Sequence, residues 1–111
     1  FEVTMESLEE ALSSTEIEIV RRALQATVEG NFFPDREFET LIGVDREMVR
    51  EVYKTWPQQM LDRDDFGCAV VGSLNNLVGY PHGKDEELIA YVPEGREAIR
   101  ETLNHLTALG V

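Results

Sequence analysis

The chain has 111 residues, 42% of them hydrophobic, with 22 acidic against 10 basic side chains and a formal net charge of −12. That length and apolar content suit one domain with a buried core, and the charge repels phosphate backbones and anionic lipid while attracting basic proteins. No run reaches the roughly 18–20 apolar residues of a membrane span. The amino end has no basic patch or apolar signal segment, and Cys68, the single cysteine, rules out an internal disulfide. The expectation is a cytoplasmic protein of bacterial type, with Met5 as an alternative start.

In chain order, Ser7-Leu-Glu-Glu10 has capping-box spacing and predicts a short first helix ending near Ser13-Ser14. Thr15-Glu-Ile-Glu18 repeats that spacing, and Ile17, Val20, Leu24 and Val28 then predict a second helix closed by Gly30. Phe32 and Phe33 follow, where apolar residues fold back on the last helical turn. Pro34-Asp-Arg-Glu37 opens a third helix, with Phe38, Leu41 and Ile42 inward and Gly43 at its end. Asp45 caps a fourth, in which Met48, Val49, Val52, Tyr53 and Trp56 form the apolar stripe before Pro57.

Residues 66–83 carry no charge, and Phe66, Val70, Leu74 and Leu77 recur at helical spacing among small residues. They predict a central helix over about 63–78, with Asp62, Asp64 and Asp65 favoured at its amino end by the helix dipole. Those aspartates do not make a calcium loop, because Phe66 and Ser73 stand where oxygen ligands are required. The helix should stop at Gly79, and Tyr80-Pro81 is a candidate cis bond. Lys84–Val92 predicts a short helix with Leu88, Ile89 and Val92 inward, and Pro93 separates it from a last helix striped by Ile99, Leu103 and Leu106. No internal repeat, low-complexity linker or alternating strand pattern is expected anywhere in the chain. The fold class is all-α, a single-domain bundle of five to seven helices around the small-residue-rich central one.

Within residues 35–56, Phe38, Ile42, Gly43, Val44, Val49 and Val52 form a pattern that resembles the helix-turn-helix motif. The resemblance implies a second helix that enters the major groove and presents Arg46, Arg50 and Lys54. Glu39 replaces the small residue usual in the first helix, and Asp45, Glu47 and Glu51 offset the basic residues of the second. The reading is therefore a structural hairpin, with a transcriptional regulator as the alternative.

No nucleophile elbow, phosphate loop or dinucleotide fingerprint is present, and Cys68 with His82 or His105 has neither catalytic nor zinc spacing. Neither an enzyme nor a cofactor or metal protein is expected. A binding module fits better: an immunity or inhibitor protein that neutralises a basic partner, such as a nuclease-type toxin or another nucleic-acid-binding protein. Candidate acidic contacts are Glu6, Glu9, Glu10, Glu16 and Glu18 near the amino end, and Asp85, Glu86 and Glu87 after the central helix. Asn75, Asn76, Tyr80 and His82 form a polar cluster that neither capping nor solubility explains, and they are the candidate specific contacts. An accessory or dimerisation domain is the remaining alternative.

Overall fold

The computed structural model describes residues 5–59 and 61–111, the first three of them by backbone alone. They form seven α-helices and no strand: α1 (Met5–Ala11), α2 (Ser14–Glu29), α3 (Phe38–Ile42, entered through a 3-10 turn at Asp35–Glu37), α4 (Arg46–Thr55), α5 (Arg63–Gly79), α6 (Asp85–Tyr91) and α7 (Arg96–Ala108). The Cα radius of gyration is 12.7 Å, near the ~13 Å of a compact chain of this length.

Helix starts follow side-chain caps. Ser13 is extended and its Oγ accepts the Glu16 N–H at 3.1 Å, while Glu16 Oε1 accepts the Ser13 N–H at 3.0 Å. The capping box thus lies two residues before the predicted Thr15–Glu18, because α2 begins where Ser13 supplies the oxygen; Ser7 lies inside α1 and does not open it. Asp45 caps α4 by accepting the Met48 N–H, and Asp62 caps α5 by accepting the Asp65 N–H. That bond holds the Asp62 carboxyl below its ordinary range.

Gly43 ends α3 at φ +105°, a conformation other residues rarely adopt. Gly30, by contrast, is extended, and a side chain there would overlap the Phe32 ring folded back on the end of α2. Space rather than a left-handed turn selects glycine at that position.

Two long helices, α2 and α5, run side by side in the same direction. At their amino ends Trp56 joins them: its ring stacks on Phe66 of α5 at 6.1 Å, and its Nε1 donates to Ile17 O of α2 at 2.9 Å. At their carboxyl ends Phe32 and Phe33, just past α2, meet His82 and Tyr80, just past α5. Val20, Leu24, Val70, Leu74 and Leu77 are fully buried along this pair. The shorter helices wrap it, with α4 and α7 each touching both long helices, α3 resting on α5 and α6 on α2. Segment 35–56 is therefore anchored mainly by the rest of the fold.

The small residues of α5 mark close approaches. The Ile42 carbonyl of α3 occupies the space a Gly72 side chain would need, and Asn76 Nδ2 donates to Leu41 O at 2.8 Å just beside it. Two expectations are corrected. Ile89 is 47% exposed, because in so short a helix Leu88 and Val92, one turn apart, take the inward face. The cis X-Pro bond is Trp56-Pro57 and not Tyr80-Pro81.

Neighbouring substitutions in α5 should have opposite signs. Gly72→Ala gains about 1 kcal/mol of helix propensity but sets a methyl against a backbone carbonyl, so a net loss of ~1–2 kcal/mol is expected. Ser73 is fully buried and its Oγ has no hydrogen-bond partner among the described residues, so Ser73→Ala should gain about 1 kcal/mol. Urea unfolding of the two variants measures both.

Candidate functional site

The two loops that leave α2 and α5 come together at one end of the molecule. Asn31, Phe32, Phe33 and Pro34 from the first, with Tyr80, Pro81, His82 and Lys84 from the second, line an open cleft of about 260 Å³. Its floor is aromatic: Phe32 meets the His82 ring edge-on at 5.0 Å, and Phe33 meets Tyr80 at 5.5 Å. His82 is fixed from both sides. Its Nδ1 accepts the Lys84 N–H at 2.9 Å, which leaves the hydrogen on Nε2 to be donated to Leu77 O at 3.0 Å.

This geometry divides the predicted polar cluster. Asn76 is half-buried and its amide donates to Leu41 O and Gly72 O, so it holds α3 against α5. His82 ties the loop to the end of α5, and Tyr80 packs on Phe33. Asn75 is exposed on the outer face of α5. Tyr80 and His82 border the cleft, whereas the two asparagines lie outside its lining. Asn31, Phe32, Phe33, Pro34, Pro81 and Lys84 were not among the predicted site residues. The signal for the first loop was the Phe-Phe-Pro run after Gly30, which periodicity could assign only to a helix end.

The acidic candidates lie in two separate places. Asp85, Glu86 and Glu87 surround Gly83 and Lys84 in a shallow hollow next to the cleft, where Asp85 pairs with Arg96 and Glu87 lies 3.9 Å from Lys84 Nζ. Glu9, Glu10, Glu16 and Glu18 lie toward the other end of α2, a helix of 16 residues or roughly 24 Å at 1.5 Å per residue. Glu9 and Glu10 are exposed on α1, and Glu18 pairs with Arg21 and Arg22. The Glu6 side chain lies outside the described residues.

Glu16 links the amino end of α2 to α7, with its Oε2 2.9 Å from His105 Nδ1. Burial raises its pKa, but the Ser13 N–H and then the hydrogen bond and charge of His105 outweigh burial, leaving it below the ordinary 4.5.

Two of the three basic residues of α4, Arg46 and Arg50, have partners within the chain. Arg46 sends Nη1 to Thr27 O and Val28 O, both at 3.1 Å, and Nη2 to Asp35 at 2.8 Å, with its guanidinium 4.4 Å from the Phe38 ring centroid. It thereby satisfies the last carbonyls of α2, where a cation is favoured by the helix dipole. Arg50 pairs with Glu47 at 2.7 Å, and Lys54 is exposed. Of the three residues assigned to DNA by the helix-turn-helix resemblance, one is thus built into the fold.

Among the described residues no group of three or more His, Cys, Asp or Glu side chains is placed to hold a metal ion, and no helix is long and apolar enough to cross a membrane. Set against known protein families, curated proteins and solved structures, the chain matches none.

Two expected outcomes follow from these contacts. Arg46→Met should lower stability by ~1.5–3 kcal/mol, the range for hydrogen bonds made by a charged group, whereas Arg50→Ala, at an exposed pair, should cost under ~1 kcal/mol; thermal unfolding separates them. Glu16→Gln tests the pH linkage. A carboxyl lowered by folding stabilises the protein above its unfolded value and loses that contribution as pH falls through the folded value. The stability gap between wild type and Glu16→Gln should therefore be full near pH 6 and shrink below 4.5; a gap that stays constant across that window would refute the link.

Proposed function

We propose that the protein is an acidic protein-binding module of the cytoplasm, an immunity or inhibitor protein that neutralises a basic partner such as a nuclease-type toxin. The observation that carries this reading is how the cations are disposed. Arg21, Arg22, Arg46, Arg50, Lys84, Arg96 and Arg100 each face a carboxylate of their own chain. The surplus negative charge is left on exposed residues such as Glu9, Glu10, Glu39, Glu51, Glu86 and Glu101, which take part in no ion pair among the described residues.

Such a surface accelerates encounter with a basic groove, while a smaller desolvated patch sets the lifetime of the complex. The α6 end suits both roles better than the α1 end. There Asp85, Glu86 and Glu87 adjoin the cleft lined by Asn31, Tyr80, Pro81, His82 and the single cation Lys84, so carboxylates that steer stand beside aromatic and amide groups that can anchor.

The test begins with affinity capture from the source cell, identification of the bound protein and titration of the purified pair. A basic partner is expected, its affinity falling at least tenfold between 50 and 300 mM salt, as phosphate-mimicking contacts require. Glu86→Lys with Glu87→Lys should weaken binding by about tenfold or more, and Glu9→Lys with Glu10→Lys by much less. A partner of neutral or acidic charge, or affinity indifferent to salt and to both charge reversals, would sink the proposal.

A further inference from the structure

The order of helices repeats along the chain, where no internal repeat was expected. Each long helix leads through a short helix into an outer helix: α2, α3 and α4, then α5, α6 and α7. With that correspondence fixing the register, equivalent positions lie fifty residues apart. Val20, Leu24 and Val28 then correspond to Val70, Leu74 and Val78, and Asp35 to Asp85. Arg46-Glu47-Met48-Val49-Arg50-Glu51 corresponds to Arg96-Glu97-Ala98-Ile99-Arg100-Glu101.

Burial follows the same register. Phe38 and Leu88, Ile42 and Val92, Val49 and Ile99, Val52 and Thr102, and Trp56 and Leu106 are buried in both copies. So do the polar contacts. Arg46 reaches back to the last carbonyls of α2 and pairs with Asp35, and Arg96 reaches Val78 O of α5 and pairs with Asp85. The ion pair Arg50–Glu47 recurs as Arg100–Glu97.

Contacts between the copies are reciprocal. Where α4 touches α5, α7 touches α2; where α3 rests on α5, α6 rests on α2; and α2 meets α5 itself. Reciprocity of this kind is the signature of an isologous, two-fold interface. We infer that the chain is two copies of one self-associating helical unit, residues 13–56 and 63–106, fused in tandem, and that the α2/α5 face is a self-recognition surface whose partner is another copy of the same unit. The divergent positions on that face, such as Asn76 against Ala26 and His82 against Phe32, specialise the two copies for each other.

Cleavage of the intact chain tests this. A protease site placed between Pro57 and Leu61, where Gln58 is exposed, opens the connection without removing either unit. The cleaved protein should keep the mass and helicity of the uncut chain, its halves held without a covalent link. After unfolding and refolding of the cleaved mixture, native mass spectrometry should find amino–carboxyl pairs and, as a smaller population, same-half pairs. Halves that separate as folded monomers would overturn the inference, and so would amino–carboxyl pairs with no same-half pair. A second cleavage site after Leu61 guards against a misfolding insertion: if only one variant folds, its pairing decides the matter.

Discussion

The fold depends on the close side-by-side pairing of α2 and α5. Both are buried along one face, and each is too apolar there to stand alone. Small residues let the surrounding helices come near: Ala23, Ala26, Ala69 and Ser73 are buried on the pair, and Gly72 admits the end of α3 to backbone contact. The two ends of the pair are fastened differently, by the single tryptophan at one and by four ring-bearing loop residues at the other. The outer helices then need only one apolar stripe each, which leaves their other faces to carry charge.

Charge is distributed by the same constraint. Ending two long helices next to each other brings two sets of unpaired carbonyls to one region, and arginines from the start of α4 and α7 reach both. Those arginines are paired with aspartates at the start of the preceding short helices. These two cations are thereby drawn to the carboxyl ends of the long helices.

The helices could be read from the sequence because their signals are local. Apolar spacing placed α2, α4, α5 and α7, while Gly43 marked the end of α3 and Asp45 and Asp62 the starts of α4 and α5, through conformations and bonds formed within a few residues. What escaped depends on distant contacts. Asn76 and His82 looked like free polar groups, since their acceptors, Leu41 O and Leu77 O, are defined only once α3 docks and the loop folds back. Arg46 looked available for phosphate for the same reason, its targets lying at the end of a different helix. The repeat was hidden because many of its matched core positions hold different apolar residues, as in Phe38 against Leu88 and Ile42 against Val92, and the matched charged residues are few in a chain rich in Glu.

Trp56 is the only tryptophan in the chain, is 4% exposed and lies against Phe66 with its ring nitrogen bonded across to α2. It closes the first helical unit while touching the second. Its intrinsic emission is thus an optical gauge of the seam between them: blue-shifted while the seam is dry, moving to longer wavelength when water enters, and free of background from any other indole.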